Sequence, residues 1–319
     1  MARKSSSTSV LPAKLKTRLR VKHLELFRQI GELQSLRKAA DACGMTQPAA
    51  TKLVQELEDM FGLPLFHRER RGMRLTDHGE VVRRHIDIVM ADVANMYADV
   101  HLFAAGGTGL LRLGIIPSLS SELLAHCVNE LIATDPRARI QMRESSTDEL
   151  LQQLATNGLD IIFGRVLHRA NASNLRITKV YTESFEIVCA KSHRLAGRSS
   201  VSWQELSEER WVLPATGPLR EMAEDMFTAH GVLRPLVAVA SGSFHQTRHV
   251  IASGPLLGIL PLSQALQGRM SGDVVSLRTG RAARFAPISL IARKDIEQPP
   301  LVREFERIAV RTAKSLRLS

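Results

Sequence analysis

The segment "SLRKAADACGMTQPAATKLVQELE", Ser35 to Glu58, constrains the fold of this 319-residue chain more than any other stretch. Ser35 is suited to cap a helix whose apolar side is Leu36, Ala39, Ala40 and Cys43, and the small alanines let another helix approach closely. Gly44 supplies a tight turn. Thr46, a hydroxyl residue ahead of the first-turn Pro48, then starts a second helix. Its apolar row of Ala50, Leu53, Val54 and Leu57 has the spacing of one buried face, with Gln47, Thr51, Lys52 and Gln55 on the other side. Helix, glycine turn and helix is the arrangement in which the second helix lies in a DNA major groove with its N-terminal residues at base edges. Amides, a hydroxyl and a lysine are also ordinary solvated surface, so the neighbouring sequence must decide.

Leu24, Phe27 and Ile30 mark an amphipathic helix before this segment. After it, "FGLPLFHRERRGMRLT" predicts a two-stranded wing: Leu65 and Phe66 begin one strand, Arg70, Arg71 and Gly72 turn, and Met73 to Leu75 return. Arg68, Arg70, Arg71 and Arg74 at or beside the tip suit phosphates or a minor groove. A solvated hairpin seldom needs four arginines. Charge is skewed the same way: residues 1–80 hold 15 Lys and Arg against 9 Asp and Glu, a net of +6 out of the chain's +11. A basic N-terminal module facing a polyanion follows, double-stranded DNA first. Arg3, Lys4, Lys14, Lys16, Arg18, Arg20 and Lys22 precede the first helix without one acid, which reads as a basic flexible tail over residues 1–20. Solubilisation explains those residues equally well.

Thr76 caps a long helix to about Phe103, with apolar residues at Val82, Ile86, Val89, Val93, Met96, Val100 and Phe103. Spacings of four and three in alternation make a heptad seam, which favours pairing with another chain over seating on a globular core. A dimer sets two recognition helices on one duplex and implies a two-fold related operator. "AAGGTG" breaks the helix as a hinge; a strand follows its glycines, which excludes a dinucleotide fingerprint, since that motif opens a helix. Beyond it, strands are expected at Leu111 to Ile116, Arg139 to Arg143, Asp160 to Gly164, Ile177 to Tyr181, Glu186 to Ala190, Trp211 to Leu213, Leu236 to Ala240, Leu257 to Leu260 and Ile288 to Ala292, with helices between most of them. The fold class is therefore a mainly α winged helix-turn-helix, a long linker helix and a two-lobed α/β domain. The expected divisions are a winged helix-turn-helix over 21–76, a linker helix over 77–105, a hinge over 106–109 and an α/β domain over 110–319. Lobe I takes about 110–182 and 277–319, and lobe II about 183–276.

The stretch "SLRKAADACGMTQPAATKLVQELEDMFGLPLFHRERRGMRLTDHGE" resembles the N-terminal domain of LysR-type transcriptional regulators, through its A-A, S/T-Q-P-A, L-E, G-x-x-L-F-x-R and L-T-x-x-G motifs. "LDIIFGR", "WVLP" and "VIASGPLLGILP" resemble strand motifs of that family's periplasmic-binding-protein-like effector domain. Within the family, "RLRVKHLELF" and "SSTDELLQQL" resemble the branch that includes the galactose-binding-protein and protocatechuate-pathway regulators. Thr46 replaces the more usual serine but keeps the hydroxyl, and Ala50-Thr51 stands where valine-serine is common. The resemblance implies a homotetramer of paired dimers that regulates nearby genes, with RNA polymerase as a further contact, when a small molecule enters the effector domain.

Open α/β sheets hold ligands beyond the carboxyl ends of their strands, at helix N-termini. Two such places are "IIPSLSSELL", with Ser118 and Ser120, and "RESSTDELL", with Ser145, Ser146 and Thr147. Ser146, with Glu149 three residues on, has the form of a capping box, which leaves Ser118, Ser145 and Thr147 freer. Arg165 ends "LDIIFGR" on the same side and is suited either to hold a carboxylate in two parallel hydrogen bonds or to tie the lobes together. A small organic effector bearing a carboxylate or several hydroxyls is expected there, and similar effector domains of the family use the corresponding positions.

An enzyme is the rival class. No Gly-x-Ser-x-Gly elbow, phosphate-cradling glycine loop or His-Glu-x-x-His occurs, so neither catalytic residues nor a cofactor are expected. His245 and His249 share a helical face at metal-site spacing but lack an evident third ligand, so no metal is expected. A purely structural DNA binder has no use for some 200 residues of α/β domain. Cys43, Cys127 and Cys189 stand apart without a C-x-x-C pair and read as reduced, part-buried thiols. No apolar run approaches a membrane span, so the expected location is the cytoplasm, at the nucleoid.

Overall fold

The computed structural model describes residues 12–69, 72–166, 174–279, 283–284 and 286–316. The chain divides into two compact units, Met1–His101 and Leu102–Ser319.

In the first unit, α1 (Ala13–Arg18) precedes α2 (Val21–Leu33), α3 (Leu36–Ala42) and α4 (Gln47–Phe61). The stretch read as a flexible tail thus contains a short helix, whose Leu15 packs against the domain core. That core is built from Leu26, Phe27 and Ile30 of α2, Ala39 and Ala40 of α3, and Ala50, Leu53, Val54 and Leu57 of α4. Ser35 Oγ accepts from the Lys38 amide and Thr46 Oγ1 from the Ala49 amide, both at 3.4 Å, so each expected cap is made. Gly44 turns between the helices at φ +64°.

The wing pairs β1 (Phe66–Glu69) antiparallel with β2 (Gly72–Leu75), Phe66 opposite Leu75. Three contacts seat it. Glu58 Oε1 accepts from the Leu65 and Phe66 amides at 2.8 and 3.1 Å. The Gln34 carbonyl at the end of α2 accepts from the Met73 amide at 3.0 Å, and a Cβ at Gly72 would collide with that carbonyl. Thr76 Oγ1 accepts from the Gly79 amide at 3.0 Å and donates to the Pro64 carbonyl at 2.9 Å, while a Cβ at Gly79 would strike the Leu65 carbonyl. The L-E and L-T-x-x-G motifs are therefore the joints between wing and helices.

Helix α5 (Asp77–Ala104) corrects the expected seam. Ile86 is only 4% exposed, inside the core of its own domain, and Val82 packs beside it. These two face inward because the first turns of α5 close the helix-turn-helix. Val89, Met96, Val100 and Phe103 are exposed, the last two by 63 and 78%, and Val93 is half-buried.

In the second unit, one five-stranded sheet has the order β4-β3-β5-β13-β6, from β3 (Gly109–Ile115), β4 (Ala138–Glu144), β5 (Ile161–Gly164), β6 (Leu175–Tyr181) and β13 (Ile288–Arg293). β3 is parallel to β4 and β5; β13 runs antiparallel to its neighbours. Helices α6 (Ser121–Thr134), α7 (Thr147–Ala155) and α12 (Pro300–Ser315) belong to this lobe. The second sheet joins β11-β7-β10-β8-β9, from β7 (Ser184–Ala190), β8 (Arg210–Pro214), β9 (Leu236–Ser241), β10 (Leu257–Pro261) and β11 (Val274–Ser276), with β12 (Ala283–Arg284) also on β7. Its helices are α8 (Trp203–Ser207), α9 (Pro218–Ala229), α10 (Phe244–Ala252) and α11 (Leu262–Ser271). Trp211 anchors its core, with its indole N–H on the Leu206 carbonyl at 2.9 Å and Phe227 edge-on at 5.2 Å.

All nine expected strands form. β11 and β12, three and two residues long, were not expected, since so short a strand has no readable period. Because β12 pairs with β7, the second lobe extends past the expected boundary at 276 to Arg284. Gly109, expected in the hinge, already belongs to β3 opposite Ala138.

Removing the Glu58 carboxylate strands two amides. Glu58→Ala should lower stability by about 1 to 3 kcal/mol in urea unfolding and Glu58→Gln, which keeps an acceptor, by less. Hydrogen exchange at Leu65 and Phe66 should rise in the alanine variant; unchanged protection there would rule out the clamp.

Candidate nucleic-acid interface and effector cleft

The burial of one face of α4 leaves Gln47, Pro48, Lys52 and Gln55 exposed along the other, with Thr46 exposed at its start. Thr51 is half-buried and its hydroxyl donates to the Gln47 carbonyl at 3.0 Å, which leaves its oxygen to act as an acceptor. On the wing, Arg68 and Arg74 are exposed, and Arg74 stands 3.9 Å from Glu69, a loose pair that leaves the guanidinium available. Arg70 and Arg71 lie outside the described residues. Sequence reasoning passed over His23 and Glu56. The buried His23 ring bonds Glu56 of α4 through Nε2 at 3.1 Å and accepts from the Arg20 amide through Nδ1 at 3.0 Å.

The two α/β lobes enclose a cleft of about 910 Å³. Ser118, Ser145, Ser146, Thr147 and Arg165 line it from the first lobe, and Phe185, Thr216, Glu221, Phe244 and Thr247 from the second. Ser120 is a correction: it is buried outside the cleft, where its Oγ accepts from the Leu123 amide at 3.3 Å and caps α6. Ser146 Oγ caps α7 through the Glu149 amide, also at 3.3 Å. The Glu149 carboxylate, however, takes the Ser145 hydroxyl, so Ser145 is engaged where it was expected to be free. Thr147 Oγ1 likewise accepts from the Arg165 amide at 3.3 Å. Ser118 and Thr247 differ from these: they are 7 and 5% exposed, and neither hydroxyl has a hydrogen-bond partner among the described residues.

Arg165 is buried beneath the cleft. Its Nη1 donates to the Ala286 carbonyl at 3.3 Å, where the chain returns to the first sheet, and its guanidinium lies 5.7 Å from the centre of the Phe185 ring. Burial lowers its pKa to about 10, against the opposing effect of Tyr181 and Glu183. Glu183, on the outward crossing, is pushed up by burial although it accepts from the Ser263 amide at 3.1 Å. Tyr181 accepts from the Ser120 amide at 2.8 Å, and burial raises its phenol. A cation, a carboxyl and a phenol thus gather where the chain passes between lobes.

Elsewhere, the His245 and His249 rings lie edge to face with centroids 4.7 Å apart, and no group of three or more metal-ligating side chains gathers among the described residues. Cys127 and Cys189 are buried, which pushes both thiols up to about 11, and Cys43 is half-buried. Among the described residues no helix is long and apolar enough to cross a membrane.

A winged helix-turn-helix joined through one long helix to a two-lobed substrate-binding domain defines a class of one-chain transcriptional regulators. Residues 21–80 match the family described as "Bacterial regulatory helix-turn-helix protein, lysR family", and residues 104–314 match "LysR substrate binding domain". The chain belongs to the LysR family. It is 29% identical over 232 residues to the HTH-type transcriptional regulator GbpR of Azospirillum brasilense, covering 72% of this chain and 68% of that protein. It is 24% identical over 297 residues to the regulator PcaQ of Agrobacterium fabrum, covering 93 and 95%. The fold is shared with full-length CbnR crystallised with its target DNA, at a TM-score of 0.64 and 20% identity over 92% of this chain and 100% of that one. A full-length OxyR variant from Pseudomonas aeruginosa aligns at 0.59 and 20% identity, covering 91 and 94%.

Proposed function

We propose that this regulator binds a two-fold related operator through α4 and the wing, and that a small organic effector in the interlobe cleft controls it. The observation that carries the reading is the pair of lobes lining one cleft with Ser118 and Thr247, buried residues whose hydroxyls have no hydrogen-bond partner among the described residues, in a chain that also exposes an amide-rich helix face. Gln47 and Thr51 read bases, and Lys52, Arg68, Arg70, Arg71 and Arg74 hold phosphates, with Thr46, Pro48 and Gln55 at the same face. Crystallisation of CbnR with target DNA supports the placement of this fold on a duplex. The exposed part of the seam, Val89, Val93, Met96, Val100 and Phe103, pairs two chains; paired dimers make the tetramer, which works in the cytoplasm and meets RNA polymerase at the promoter.

Apolar walls from Leu151, Phe185, Phe244 and Ile259 favour an effector with an apolar body and few polar groups. Hydroxyls or a carboxylate on it meet Ser118 and Thr247, and Arg165 supplies the cation. The approach of the Arg165 guanidinium to the Phe185 ring of the other lobe, at 5.7 Å, also supports its role as a tie between lobes, so effector binding and lobe closure act on one guanidinium.

On a duplex selected from a random pool by the wild-type protein, Gln47→Ala should lose about 1 to 3 kcal/mol and discriminate less against random sequence. Wild-type affinity on both duplexes would remove α4 from base reading. Replacing Val89 and Met96 by Glu sets unpaired carboxylates in an apolar contact, at a cost of several kcal/mol, so sedimentation should show a smaller oligomer and operator affinity should fall. Persistence of the wild-type oligomer would place the contact elsewhere. In calorimetry with the metabolite indicated by genes beside footprinted sites, Arg165→Met should lose most of the binding heat yet hold operator DNA. Undiminished heat would move the effector away from Arg165.

A further inference from the structure

We infer that α1 is an added DNA-contacting flank, in which Lys14, Lys16 and Arg18 hold the sugar-phosphate backbone beside the groove that α4 enters. This rests on α4 being the recognition helix. A six-residue helix is too short to persist alone in water, so its order comes from what it touches. Leu15 packs against the core of the DNA-binding domain. Just beyond α1, His23 is locked to Glu56 of α4 at 3.1 Å, and its other ring nitrogen accepts the Arg20 amide at 3.0 Å. With Nδ1 an acceptor, Nε2 carries the proton and donates to the carboxylate. The joint between α1 and α2 is thereby pinned to the helix that carries Lys52 and Gln55.

Charge follows from this placement. Glu56 stands one turn after Lys52, and its carboxyl is held low first by the His23 bond and then by the fields of Lys52 and Arg18. Arg18 thus shares its surroundings with a residue of the DNA-facing side. Lys14 and Arg18, four apart, share one side of α1, and Lys16 lies on the other flank of Leu15. All three are exposed, none is ion-paired among the described residues, and no acid occurs in α1. A merely solubilising tail would not need docking through Leu15. Fixed cations beside a recognition helix meet the phosphates flanking the major groove, where each contact releases condensed counterions.

The test is the salt dependence of duplex binding by the full-length chain carrying Lys14→Gln, Lys16→Gln and Arg18→Gln together, between about 50 and 200 mM salt. Loss of two or three phosphate contacts should flatten the slope of log affinity against log salt by about 2 to 3, equally on random and selected duplexes. The ratio of the two affinities should survive, which also reports that the domain is folded. Leu15→Ser, which frees α1 but keeps its charge, should flatten the slope in part. An unchanged slope in the triple variant overturns the proposal; so does wild-type behaviour of Leu15→Ser, since the charge would then act from a loose tail. Gln47→Ala, measured alongside, should change the affinity ratio and leave the slope alone. If it leaves the ratio unchanged, the reading of α4 fails by a separate readout.

Discussion

The surface of the N-terminal unit depends on the burial of one face of α4. Ala50, Leu53, Val54 and Leu57 must leave water together, and at a period of 3.6 residues this turns Gln47, Lys52 and Gln55 outward as a set. Helix α3 can approach that face because Ala39 and Ala40 are small. The wing is then fixed by Glu58, one residue beyond the last of the row, whose carboxylate has the two first amides of the hairpin within reach. Core packing, orientation of the polar face and position of the arginine hairpin are consequences of one helix.

In the C-terminal unit the comparable constraint is the double crossing between sheets. The chain leaves one lobe after Tyr181 and returns after Arg284, and a buried charged side chain stands at each crossing. Glu183, on the outward crossing, accepts from the Ser263 amide at the start of α11, and Arg165 donates to the Ala286 carbonyl on the return. Burial works against the charge of both side chains, so a ligand that supplies polar partners in the cleft changes the electrostatic environment of the segments that connect the lobes.

Helix α5 shows how one periodicity serves two partners. Its seam is continuous in sequence from Val82 to Phe103, yet Ile86 lies in the domain core while Met96, Val100 and Phe103 remain in solvent. A heptad pattern reports that a stripe is apolar; it does not report what covers each turn.

Much was legible without coordinates because it rests on local periodicity and local chemistry. The two helices around Gly44, the caps at Ser35 and Thr46, the wing and the nine longer strands all follow from spacings of two, three and four residues and from residues that begin or end helices. The cleft residues Ser118, Ser145, Ser146, Thr147 and Arg165 were reachable because helix N-termini after strands are fixed by the α/β order. What the sequence left open involved contacts between distant segments. Ser118 and Ser120 are two residues apart and chemically alike, but only the tertiary fold turns one into the cleft and the other onto the Leu123 amide. Thr247 was invisible as a cleft residue because it lines the cleft from the lobe opposite Ser118, a placement that only the packing of two separate sheets decides. The basic stretch before α2 looked like a tail until Leu15 and the His23–Glu56 bond placed it against α4, for a charge run reads the same whether docked or free. Sequence determined the elements and which of their faces are apolar; tertiary structure decided what each face meets, because burial is a property of the neighbours that the fold brings together.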